Sequence, residues 1–160
     1  MLIAITRDVS PSIAQCELTH VDRSPIDLER AQAQHRAYQR TLSTLGCRVL
    51  SLEAEPEMPD AVFVEDVAVV LDEMAIMTRP GAASRRDEGQ AVAQLLQRYR
   101  PLHGIHAPGT LDGGDVLRVG RNRSWASRRA AARRASSNWA ASPARPATRC
   151  AVSRSATACT

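Results

Sequence analysis

Asp60-Ala61-Val62-Phe63-Val64-Glu65-Asp66 runs directly into Val67-Ala68-Val69-Val70, so three carboxylates stand at the head of a run of β-formers. Branched and aromatic residues in such a run predict a strand from Val62 to Leu71. Side chains on an extended strand alternate between faces. Asp60, Val62, Val64 and Asp66 would then share one face, with Ala61, Phe63 and Glu65 on the other. Charges are costly to bury unless paired, so acids leading into so apolar a segment point to a mouth that holds a cation. A guanidinium suits paired carboxylates, because its planar fork of donors matches them. A solvated edge strand with ordinary surface acids is the plainer account of the same pattern.

Upstream, Leu2 to Thr6 reads as a short buried strand, and Arg7 to Arg23 as a long loop of the kind that closes over sites. Ser24 and Pro25 predict a helix start, with Asp27 in its first turn. Leu28, Ala31, His35, Tyr38, Leu42 and Leu45 recur at helical steps and form one apolar stripe. His35 and Tyr38 are expected there as packed core residues. Gly46 ends the helix, and Cys47 to Leu52 is the next strand. Downstream, Met74 to Met77 pairs with the organising strand across an Asp72-Glu73 turn. Ser84 is expected to cap a second helix with Asp87 and Glu88 in its first turn and Val92, Leu95, Leu96 and Tyr99 on its buried face. Strands about His103 to Ala107 and from Val116 to Val119 follow. Asp66 and Asp115, 49 residues apart, each stand just before a strand. That step is within the range of repeated supersecondary units.

Charge divides the chain. Up to Gly120 there are 12 arginines and 17 acids; after it there are 9 arginines and no acid, and lysine is absent throughout. The high pI therefore belongs to the tail, which admits nucleic acid or anionic lipid only as non-specific partners. Cys16, Cys47, Cys150 and Cys159 show no metal spacing, and His103 with His106 has no third ligand nearby, so no metal is expected. No run is long enough to span a membrane and the N-terminus lacks a signal-peptide pattern, which leaves the cytoplasm as the default.

Four ordered segments carry a resemblance. They are Cys16-Glu17-Leu18-Thr19-His20, Pro59 to Val70, Thr78-Arg79-Pro80-Gly81-Ala82-Ala83-Ser84-Arg85-Arg86, and Pro108-Gly109-Thr110-Leu111-Asp112-Gly113-Gly114-Asp115-Val116-Leu117. Together they resemble the dimethylarginine dimethylaminohydrolases, in the guanidino-modifying superfamily. The resemblance implies an α/β fold, a pentein-type α/β-propeller of five ββαβ modules, of which residues 1–120 would supply about two to two and a half. It implies hydrolysis of Nω-methylated arginines to citrulline and a methylamine through a covalent cysteine adduct, without a cofactor. A related arginine deiminase or amidinotransferase would share the fold and acids. By position, Asp60, Glu65 and Asp66 match the family's substrate-binding acids, with Asp66 expected to pair directly with the guanidino nitrogens. Arg85 matches an arginine that binds the substrate carboxylate, and Leu18 a contact from the closing loop. Asp112 matches the acid that orients the catalytic histidine, although Asp-Gly is also an ordinary turn pair. The small-molecule substrate is the implied partner, and a homodimer stays open for the intact fold.

The resemblance stops near Arg121. The repeat calls for a second strand, a break and a capped helix after Gly120, and no such pattern follows. The catalytic histidine, the nucleophilic cysteine and a second carboxylate-binding arginine have no matching positions, so the 160 residues are expected to be inactive alone. Residues 121–160 are mostly Ala, Arg and Ser, a composition that favours disorder. An acid-free run of this kind is what a GC-rich gene yields when read out of frame. A genuine basic low-complexity tail, making the chain a non-catalytic binding fragment, is the alternative.

Overall fold

Leu2–Arg7 (β1) forms because five of its six residues are buried, Arg7 and Thr6 among them, so the segment packs on both faces. A parallel strand buried on both faces has little reason to alternate. In the computed structural model, which describes residues 1–18, 22–119, 122–125 and 150–152, the chain divides into two compact units. One comprises Met1–Val64 with Arg149–Thr160, the other Glu65–Thr148.

In the first unit, β1 pairs in parallel with Cys47–Leu52 (β2) on one side and with Cys150–Val152 (β8) on the other. The helix Leu28–Thr44 (α1) connects β1 to β2, as a parallel crossover requires. Its start differs from the expectation. Asp27, not Ser24, is the N-cap, and its carboxylate accepts the Arg30 N–H at 3.0 Å. A side chain that reaches the N3 amide satisfies an otherwise orphaned donor. Gly46 ends the helix as expected, with φ of 86° and its N–H on the Ser43 carbonyl. Of the stripe, Ala31 and His35 are buried, whereas Leu45 is 74% exposed. Val9, Ile13, Ala31 and Val62 form a buried apolar cluster, with Ile26, Leu28 and Phe63 packed against it.

The organising stretch is not a continuous strand. Residues 59–62 turn, Val64–Val67 (α2) makes one helical turn, and only Ala68–Val70 (β3) is extended. The Phe63 N–H donates to the Asp60 carbonyl at 3.0 Å and the Ala61 N–H to that of Met58 at 3.2 Å. These local bonds occupy groups that a strand ladder would have used. Asp60, Ala61 and Val62 are buried consecutively, so strand alternation does not organise the acids.

In the second unit, β3 pairs antiparallel with Ala75–Met77 (β4), the Gln90–Leu96 helix (α3) follows, and Leu102–Gly104 (β5) returns parallel to β4. The order strand, strand, helix, strand results. Helix α3 starts later than expected: Ala83–Arg85 is a short 3-10 turn, and Gly89, without a side-chain cap, precedes Gln90. Val92 and Leu96 are its fully buried residues, and Leu95 is half-buried. Arg100 is buried beyond it, donating from Nε to the Leu71 carbonyl at 3.1 Å. Strand β5 is shorter than the expected span to Ala107, and Ala107-Pro108 is a cis peptide. Val116–Val119 (β6) is extended as expected. It pairs antiparallel with Asn122–Trp125 (β7), a second strand where none was anticipated. The expectation of a disordered tail falls largely outside the described residues; within 121–160 only β7 and β8 are described. Among the described residues no helix is long and apolar enough to cross a membrane.

Candidate functional site

Asp66 sits in the helical turn α2, where its carboxylate is held at both oxygens. Oδ2 accepts from Arg85 Nη1 at 3.0 Å and Oδ1 from the Gly114 N–H at 3.1 Å. Its carbonyl accepts the Thr78 hydroxyl, which ties α2 to the end of β4. The two glycines after Asp112 explain how the segments come so close. A Cβ on Gly113 would overlap the Glu65 carbonyl oxygen, and one on Gly114 would lie 2.5 Å from Asp66 Oδ1. Glu65, half-buried, occupies the same helical turn as Asp66.

Arg85 ends the 3-10 turn after β4. Glu88, one turn on and 3% exposed, accepts from Arg85 Nε at 3.2 Å and from Nη2 at 3.0 Å. Burial works against the guanidinium charge, but the bonds and charges of Glu88, then Asp66, outweigh it and raise the pKa. Two carboxylates, those of Glu88 and Asp66, thus bond to one guanidinium. Ion pairs out of water need this kind of multiple bonding to offset desolvation.

Asp112 is placed by the chain just before it. Leu111 bridges to Arg79, its N–H donating to the Arg79 carbonyl at 2.8 Å, and Arg79 Nη1 donates to the Gly109 carbonyl at 3.3 Å. Asp112 Oδ2 then accepts the Gly81 N–H at 3.4 Å. Burial pushes its carboxyl pKa up. The Gly81 bond opposes this, the charge of Asp66 adds to it, Arg85 opposes it and Asp115 adds to it. Asp66, Arg85 and Asp112 are thus brought together within one unit.

Leu18 and Asp60 belong to the other unit. Asp60 is 4% exposed and its Oδ2 accepts the Glu17 N–H at 3.0 Å, so it anchors the loop that carries Leu18. Arg23 braces the same loop through the carbonyls of Cys16 (2.8 Å) and Ala14. Leu18 is half-buried; Thr19 and His20 lie outside the described residues. His35 is buried, with its ring centroid 6.3 Å from that of Tyr38 and its Nε2 3.2 Å from Gln39 Nε2. Burial lowers its pKa and Asp8 partly offsets that. This is the packed core role expected of it. His103 and His106 are exposed, and among the described residues no group of three His, Cys, Asp or Glu could hold a metal.

Sequence reading missed Glu88 as Arg85's partner and the glycines as spacers. The three-residue step from Arg85 to Glu88 was the available signal, because residues so spaced face each other on a helical turn.

No family model matches the chain. It is 42% identical over 118 residues to a dimethylarginine dimethylaminohydrolase of Streptomyces coelicolor, covering 73% of this chain and 46% of that one. Over 96 residues it is 42% identical to the enzyme of the same name from Pseudomonas aeruginosa, covering 59% and 38%. The matched part of this chain belongs to the dimethylarginine dimethylaminohydrolase family. A solved Pseudomonas aeruginosa dimethylarginine dimethylaminohydrolase, a mutant complexed with citrulline, superposes with a TM-score of 0.70 at 37% identity, over 75% of this chain and 48% of that one. The N-terminal domain of a cyanobacterial arginine dihydrolase superposes at 0.62 with 17% identity, a likeness of fold. The mixed α/β fold is accordingly of the dimethylarginine dimethylaminohydrolase, or pentein, type. The chain spans less than half the length of these curated family members.

Proposed function

We propose that residues 1–120 are the N-terminal part of an α/β-propeller that hydrolyses Nω-methylated arginines to citrulline and a methylamine, and that these 160 residues alone are inactive. The observation that carries this reading is the meeting of Asp66, Arg85 and Asp112, which come from three of the segments resembling the family. In the intact fold a thiolate attacks the guanidino carbon, and a histidine protonates the leaving amine and then activates water. Asp60, Glu65 and Asp66 bind the substrate, Asp66 facing the guanidino group. Arg85 holds the carboxylate end, Leu18 touches the ligand from the closing loop, and Asp112 orients the histidine. Neither the histidine nor the nucleophile has a matching position in the sequence, and losing such groups costs orders of magnitude in rate.

The test is citrulline release from asymmetric dimethylarginine by the purified 160-residue chain. The expected rate equals the buffer blank; turnover above it, abolished by no single cysteine substitution, would overturn both the inactivity and the cysteine mechanism.

We further infer that residues 121–160 come from a shifted reading frame, which the loss of every acid after Asp115 supports. Translating the other frames of the gene beyond the codon for Gly120 is expected to restore a Ser-x-Arg-Thr-Asn-like segment, then a histidine and a late cysteine. If no frame restores them, the basic tail is the real product.

A further inference from the structure

We propose that Glu88 is a positioning residue that sets Arg85, and through it Asp66, for the two charged ends of an amino-acid ligand. This rests on the roles given to Arg85 and Asp66 above. Nothing in the four resembling segments assigns Glu88. Its side chain is 2% exposed, and it grips one edge of the Arg85 fork, through Nε and Nη2. The edge so held directs Nη1 to Asp66 Oδ2, while Asp66 Oδ1 takes the Gly114 N–H. Glu88 is itself fixed by the turn it closes, its N–H donating to the Arg85 carbonyl at 3.3 Å.

The physical need is specific. An arginine side chain has many rotamers. With Asp66 as its only acid, the fork would settle two-pronged on Asp66 and compete with any ligand guanidinium for the same oxygens. A second carboxylate on the Nε edge occupies Nε and Nη2 and leaves Nη1 for Asp66. A buried ion pair is weak support for stability, since apolar replacements often do as well. Glu88 is therefore better explained by placement than by stability.

The test uses the full ¹⁵N-labelled chain, titrated with Nω-methyl-L-arginine and with the corresponding amine that lacks the carboxylate. Wild type is expected to prefer the amino acid by about tenfold or more, the worth of a charge-assisted hydrogen bond. Glu88→Gln is expected to lose that preference. Glu88→Asp keeps the charge but is one methylene short, and is expected to fall between, at about threefold. If the Glu88→Gln spectrum collapses, Glu88→Asp decides. Variants that keep the full wild-type preference overturn the role of Glu88 and leave that of Arg85 standing. A wild type with no preference overturns the reading of Arg85, and this inference with it.

Discussion

Gly113 has no room for a side chain, because a Cβ there would overlap the carbonyl oxygen of Glu65. Gly113→Ala must displace the backbone that carries Glu65 and Asp66. It is expected to cost about 1–3 kcal/mol, as overpacking does, read as a lower urea midpoint at unchanged slope. Asp112 makes a prediction in pH. Burial holds its carboxyl above the ordinary value of 3.8, so the folded chain binds this proton more tightly than the unfolded one. That contribution is full below the ordinary value and is lost as pH rises through the raised one. Asp112→Asn removes the loss. Its stability relative to wild type should climb as pH rises from below the ordinary value through the raised one in a denaturant series, and parallel curves would count against the assignment. Asp112 was legible in the sequence as a site residue only through resemblance. Its raised pKa depends on burial and on the charge of Asp66, 46 residues away, which no local pattern shows.

Elements were legible where local chemistry decided them. Strand β2 runs from Cys47 to Leu52 as expected, because Gly46 at positive φ marks its start without ambiguity. The stretch from Asp60 to Val67 was misjudged because β propensity is a weak preference that turn bonds override. The bonds from Ala61 and Phe63 back to Met58 and Asp60 leave no trace in the residue types. The start of α1 was misplaced for a related reason, since Ser24 and Asp27 are both good caps and only geometry chooses. The choice is testable. Asp27→Ala should cost about 1 kcal/mol, whereas Ser24→Ala should change stability by less than about 0.5 kcal/mol; equal losses in thermal melts would contradict the observed cap.

Across the whole molecule, charge and connectivity diverge. The nine arginines after Gly120 face no acid in their own segment, so the chain should be retained on heparin at low salt. Retention should fall steeply as salt rises, with log affinity linear in log salt. A chain ending at Gly120 should pass through, and salt-insensitive retention would argue against counterion release. Strand β8 has a different consequence. Ile3 to Ile5 of β1 pair with Cys150 to Val152, almost the full length of the chain away. A ribosome adds about 5–20 residues per second, so one flank of β1 waits roughly 7–30 s for its neighbour to be synthesised. Throughout that interval β1 is a nascent strand exposed to whatever else emerges from, or waits beside, the exit tunnel.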